Sequence, residues 1–291
     1  MTTVTEFGKE LLRTGDLDPV YIALHKAGLD EGTLHRLCLA YWCFYHLGLA
    51  AKLAEIKQPK KYWDAMMAAA VNEGEPKPFP RGGERRHYRG TQAISSMASL
   101  ISLYPKGATQ AVERFIGYGE NGRHTYGSVS RSVQQHRGFG EWIAFKIADM
   151  SERVLGYDTD FSDCHLGIYK DPRQGAAVAY GQCDALSAPN GAVVEYQAAG
   201  EPWNYPITDE ELSRTVNHYV KVFKKFTAPG GKPRPVNVQE VETIFCKYKS
   251  HLKGHYPMGK DTREIHHGLS GWGDLAQQLQ AALPPVQLKL L

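Results

Sequence analysis

Apolar residues recur at helical spacing through almost every stretch of this chain, and this period decides its fold class. Helices are expected over residues 34–56 (with Thr33 as the cap), 62–71, 93–103, 111–118, 129–135, 141–155, 208–226, 238–252 and 275–283. The helix from 208 opens with "TDEE", in which Thr208 can cap while Glu211 reaches back. Only "GAVVEY", residues 191–196, reads as a strand. Segments rich in Gly and Pro at 73–83, 175–205 and 227–235 read as loops, the second long enough to be a functional loop or an insertion. The expectation is an all-α fold, one helical domain over residues 1–291. It would divide into two lobes, about 1–170 and 206–291, around the 175–205 loop.

With 42% hydrophobic and 22% charged residues, the chain can bury an ordinary core. Its longest apolar run, "LCLAYWCFYHLGLAAKLA" from Leu37, contains His and Lys and falls short of a membrane span of about 20 apolar residues. The start, "MTTVTEFGKELLRTGD", lacks the basic and apolar regions of a secretory signal, so a cytosolic location is expected. Cys38, Cys43, Cys164, Cys183 and Cys246 form no CxxC pair or cluster and read as free thiols rather than as a disulfide framework or metal site. The net charge of +3 is unevenly placed: residues 221–263 hold ten Lys or Arg against three acids. A second basic cluster is "RGGERRHYRG" from Arg81. Basic residues interleaved with Tyr, Phe and His fit a phosphate-rich partner, nucleic acid above all, although a solvated basic face has the same composition.

Within "QHRGFGEWIAFKIADM", Gly138, Phe139 and Gly140 sit between two helical runs. An ordinary turn would account for them, and so would a helix-hairpin-helix. In the second case the glycines let backbone N–H groups at the positive end of the second helix approach one DNA phosphate. Phe139 would tuck between the helices, and Arg137, Trp142 and Lys146 would join Gly138 and Gly140 as candidate DNA contacts.

The "GxGxWxA" form resembles the hairpin of helix-hairpin-helix DNA glycosylases, which carry Lys or Trp at the place of Trp142. Those enzymes place a catalytic Asp about twenty residues downstream in a "VDTHxxR"-like run. Here "SDCHLGIYK" puts Asp163 at 21 residues past Trp142, followed by His165. By this resemblance Asp163 matches the catalytic Asp, and it can cap a helix as well. Trp142, in place of a Schiff-base lysine, argues against lyase chemistry.

Further motifs are "TGDLDPVYIAL" from Thr14, where Pro19 reads as a helix start, "AYWCFYHLGLA" from Ala40, "PRGGERRHYRG" from Pro80, and "ETIFCKYKSHLKGHYPMGKD" from Glu242. Together they resemble the phage amino acid:DNA transferases, also named alpha-glutamyl/putrescinyl thymine pyrophosphorylases, over residues 14–261. The resemblance implies a glycosylase-like helical fold, and action in the cytoplasm of the infected bacterial host. The implied substrate is DNA carrying 5-pyrophosphomethyluracil, whose pyrophosphate is displaced by the amine of a free amino acid, glycine among them, or of a polyamine. No resident cofactor is implied, although Mg²⁺ can arrive with pyrophosphate.

A leaving pyrophosphate needs converging cations. Arg81, Arg85, Arg86 and Arg89 are the first candidates, with Arg85 and Arg89 on one face if the segment is helical, and Lys247, Lys249 and His251 the second. The incoming amine must shed a proton, for which Asp163 is the first choice and Glu84, His87 and His165 are alternatives. Trp42, Tyr88 or Trp142 could stack on the pyrimidine, though each also suits a core. Two other functions remain open at this level: a monofunctional glycosylase, which leaves the arginine motif unexplained, and a non-catalytic DNA-binding module, which leaves "SDCH" idle. The sequence does not identify the amine or the oligomeric state.

Overall fold

A computed structural model describes residues 2–117, 123–166, 169–181 and 207–286. Among them fourteen α-helices follow one another: α1 Val4–Thr14, α2 Pro19–Lys26, α3 Glu31–Phe44, α4 Leu47–Ala54, α5 Pro59–Val71, α6 Gly90–Leu103, α7 Ala108–Ile116, α8 Tyr126–Gln134, α9 Glu141–Arg153, α10 Lys170–Gly181, α11 Asp209–Phe223, α12 Val238–Leu252, α13 Lys260–Leu269 and α14 Asp274–Ala282. Beside them stand a 3-10 turn, Gly83–Arg85, two paired parallel strands, β1 His124–Thr125 and β2 Thr159–Asp160, and an isolated antiparallel bridge between Thr227 and Pro235. The fold is all-α. The "GAVVEY" run, Tyr118 and Cys183 lie outside the described residues, and no described helix is long and apolar enough to cross a membrane.

The chain forms two compact units. One comprises residues 20–163 and 264–283; the other comprises 1–19, 164–263 and 284–291. In the first, α3 is the centre, buried on every side from Leu37 to Phe44 and packed against α4 and α7. The single helix expected over 34–56 is broken in two. Tyr45 takes a left-handed conformation (φ 51°), its N–H returning to the Tyr41 carbonyl, and His46 then starts α4 by accepting the Leu49 N–H on Nδ1. The cap of α3 is Asp30 rather than Thr33, whose N–H it accepts at 2.9 Å. Gly48 is required in α4, because a Cβ there would lie 2.2 Å from the Gly268 carbonyl oxygen.

In the second unit α12 packs against α1, α10 and α11. Helix α10 corrects the expectation of a loop from residue 175. Gly175 stood at the start of a segment rich in Gly and Pro, but it permits close helix contact: a Cβ would sit 2.1 Å from the Phe245 carbonyl oxygen on α12. Gly8 does the same for α1 against the Phe223 ring. Asp16, 1% exposed, closes this unit. Its carboxylate accepts from the Thr262 N–H and hydroxyl, the Gly259 N–H and the Tyr256 hydroxyl. The Lys247 ammonium donates to the Asp16 and Leu17 carbonyls and pairs with Asp261 at 2.7 Å.

Two outcomes follow. Gly175→Ala should lower unfolding free energy by about 3 kcal/mol, because backbone rather than a flexible side chain blocks the added methyl; urea denaturation measures it, with a change under about 1 kcal/mol counting against the close contact. Burial, and then the Arg81 charge, pull His46 from 6.5 down to about 4. The folded state therefore favours the neutral ring. Its stabilisation is complete above about pH 6.5 and is lost as pH falls from there toward about 4. His46→Asn, which caps without titrating, should flatten part of that fall in the melting temperature.

Candidate active site and candidate DNA-contacting hairpin

Helix α8, a six-residue connection and α9 form a hairpin, with the helices packed on each other. Gly138 turns the chain at φ +84°, where an added Cβ would lie 3.0 Å from Ser96 Oγ and 3.2 Å from the Tyr88 ring. Phe139 is buried edge-on against Phe115. Gly140 is exposed and caps α9 without a side-chain hydrogen bond, so no side chain at that position occupies the first-turn N–H groups. Arg137 is exposed beside them. Trp142 is half-buried, edge-on to Tyr45, which stacks on Tyr41. Lys146 does not reach the surface as a DNA contact would: it is buried on α9, with its ammonium 5.3 Å from the Phe145 ring centre.

The arginine motif wraps behind this turn. Gly82 fits tightly under Tyr45, whose carbonyl oxygen would be 2.2 Å from a Cβ. Arg85 is buried; its Nε donates to the Trp42 and Cys43 carbonyls at the end of α3, and its Nη1 donates to the Gly138 carbonyl at 2.8 Å. Its guanidinium also lies over the Tyr88 and Phe139 rings. Tyr88 donates to Ser96, which donates to the Arg137 carbonyl. Arg81 donates to the carbonyls of Tyr88, Pro80 and Ala69. Burial, and then the Arg89 charge, lower its pKa to about 10. Arg81 and, through Nε and Nη1, Arg85 thus donate to backbone, while Arg85 Nη2 and Arg89 Nη1 are buried without a hydrogen-bond partner among the described residues.

The expected helix carrying Arg85 and Arg89 on one face is absent. The segment is a 3-10 turn, and Arg89 is the extended cap of α6. Arg86, His87 and Glu84 are exposed on it. In the other unit Lys249 pairs with Asp171 at 2.5 Å, and Lys247 is enclosed by its carbonyls and Asp261. Trp42 is fully buried with Nε1 on Met150 Sδ, and Tyr88 is 2% exposed; both are core.

Asp163 is exposed and accepts the Gly127 N–H at 3.0 Å in the first turn of α8. It therefore acts as a capping residue at the end of α8 opposite the hairpin turn. At 1.5 Å per residue, the nine residues of α8 put about 13 Å between Asp163 and the turn that Arg85 holds. His165 is exposed just after it. The structure therefore separates the expected base from the expected arginine clamp.

A cavity of about 720 Å³ that the sequence did not signal is lined among others by Tyr104, Arg114, Ser128, Arg131, Ser132 and His136; Asp163 is not in the lining. Among the described residues no Asp or Glu lines it. Its floor is the Tyr104–His136 contact: His136 Nδ1–H donates to the Ser132 carbonyl at 3.0 Å, leaving Nε2 to accept from the Tyr104 hydroxyl. Burial holds the imidazole below its usual range, in keeping with a neutral ring. Arg131 Nη1 and Asp163 Oδ2 both come within 3.5 Å of the point that a Gly127 Cβ would occupy, so they are near neighbours.

Replacing Arg85 tests the brace. Arg85→Met keeps the volume but strips three buried carbonyls of their donors, and should cost about 2–4 kcal/mol and weaken DNA binding. Gly138→Ala, strained at positive φ, should weaken DNA binding with a smaller loss of stability. Melting curves and fluorescence anisotropy on a duplex measure the two effects; unchanged DNA affinity in both variants would exclude the hairpin as a DNA contact.

Comparison with known proteins agrees with the residue pattern. A family model described as amino acid:DNA transferase matches residues 11–256. A glycinyltransferase of Pseudomonas phage PaMx11 is 40% identical over 98% of this chain and 97% of its own length. A putrescinyltransferase of Delftia phage PhiW-14 is 24% identical over 96% of this chain and 82% of its own length. Matched from α1 to the end of α12 and beyond, the chain belongs to the amino acid:DNA transferase family.

Proposed function

We propose that this enzyme attaches glycine to a thymine-derived base in phage DNA, displacing pyrophosphate from 5-pyrophosphomethyluracil in the cytoplasm of the infected host. The near full-length, 40% identity to a glycinyltransferase carries the choice of amine; the likeness to the putrescinyltransferase is weaker. The uncapped α9 N-terminus and the exposed Arg137 support a DNA backbone contact at the hairpin.

The chemistry is a substitution at the methylene carbon on C5. Glycine arrives as an ammonium and sheds one proton toward Asp163. The amine lone pair forms the new C–N bond, while the C–O bond breaks and its electrons leave with the pyrophosphate oxygen. The product is a secondary ammonium that holds the remaining protons. A protein carboxylate beside the nucleophile and cations at the leaving group supply what this step lacks in water.

Incubating the protein with DNA containing 5-pyrophosphomethyluracil and a mixture of amino acids and polyamines, followed by digestion and mass spectrometry, tests the reading. A nucleoside carrying glycine in place of pyrophosphate is expected, and Asp163→Asn should lower its rate about 10²-fold or more while DNA affinity stays unchanged. Release of free base would instead make the protein a glycosylase, and unchanged DNA that still binds would make it a binding module.

A further inference from the structure

We infer that the cavity along α8, rather than the arginine motif behind the hairpin, seats the pyrophosphoryl group, with Arg131 and Arg114 as its cationic contacts. This rests on the function proposed above. In a substitution the nucleophile and leaving oxygen lie on opposite sides of one carbon, with reacting atoms about 3–3.5 Å apart. The base that serves the amine and the cations that serve the pyrophosphate must therefore be close neighbours. Asp163 and the turn held by Arg85 are about 13 Å apart; Arg81, and Arg85 through Nε and Nη1, donate to backbone carbonyls, while Arg85 Nη2 and Arg89 Nη1 are buried at the far end from Asp163 without a hydrogen-bond partner among the described residues.

The cavity meets the requirement. Arg131 adjoins Asp163 across Gly127, and among the described residues its guanidinium makes no hydrogen bond. Arg114 reaches the same space from α7, with Ser128, Ser132, Gln110 and Gln135 adding neutral polar groups. Among the described residues that line the cavity there is no Asp or Glu, so there a polyanion meets cations and neutral polar groups. A volume of about 720 Å³ accommodates a pyrophosphoryl group together with part of its base. Gly127 completes the arrangement, since a Cβ there would come 2.6 Å from Asp163 Oδ2 and push the carboxylate away.

Inorganic pyrophosphate is the probe. Its binding to the DNA-free protein is measured by calorimetry, and its competition with pyrophosphorylated DNA in the transfer assay gives an inhibition constant. Arg131→Gln and Arg114→Gln, both surface changes on intact helices, should each weaken pyrophosphate in both assays by about tenfold, leave affinity for an unmodified duplex unchanged, and leave the KM for glycine unchanged. A parallel loss of affinity for unmodified duplex would make the cavity a backbone-phosphate groove and overturn the assignment. A rise confined to the glycine KM would make it a carboxylate pocket, and unaltered pyrophosphate binding would remove the cavity from the site. Should the wild-type protein transfer no amine at all, the proposed function fails by itself, whereas the calorimetric comparison still reads the cavity.

Discussion

The buried guanidinium of Arg85 holds together three pieces of chain that are far apart in sequence: the end of α3, the arginine motif and the hairpin turn. A buried cation needs partners, and the carbonyls at a helix C-terminus, carrying the negative end of its dipole, are suitable ones. The third partner, the Gly138 carbonyl, belongs to the turn itself. With that carbonyl and its neighbour at Arg137 drawn inward, the exposed face of the turn presents Gly140 and the start of α9. The hairpin is thus supported from behind by a motif whose charge alone suggested a phosphate clamp.

The same lesson about context applies to glycine. Gly138 was legible because a glycine on each side of one aromatic, between two helical periods, describes a turn. Gly175 was not: in "KDPRQGAAVAYG" it looked like loop chemistry, and only the nearness of Phe245 on α12 shows it to be a contact point inside α10. The two halves of the 34–56 run are a related case. Their apolar period is continuous, and the break at Tyr45 reflects a left-handed residue that no local pattern demanded. Helices α11 and α12 were read well, because a capping box or a clean period is local information. Helix α1 carried the same signature, Thr3 with Glu6, in a segment read only for its lack of a secretory signal.

Of the remaining motifs, "TGDLDPVYIAL" and "GHYPMGKD" prove to explain each other. Asp16 in the first accepts from Tyr256 and Gly259 in the second, and Lys247 closes the group with Asp261. Residues that looked like independent chemical signals form one buried knot that joins the N-terminal helix to residues more than two hundred positions later. Such pairing is invisible to any local reading, since each charge becomes reasonable only when its distant partner is in place. The basic window from 221 to 263 was therefore partly a misleading signal: the buried Lys247 and Lys249 pair with a half-buried Asp261 and an exposed Asp171 in their own unit.

Asp163 shows how geometry narrows chemistry further than motif order can. Its spacing from the hairpin singled it out as an acid–base candidate, but spacing along a chain does not say which end of a helix a residue reaches. Because it caps α8 from the end away from the turn, contacts to a DNA backbone at the turn and chemistry at Asp163 occupy opposite ends of one rigid rod. On the proposed function, a strand held at the turn would deliver its reactive carbon along α8, past Ser132, Arg131 and Ser128, before it meets the carboxylate. On that same proposal, residues on that face, which no sequence pattern distinguished, would be the ones to decide whether a pyrophosphorylated base is accepted, a role for which the more conspicuous arginine motif first suggested itself.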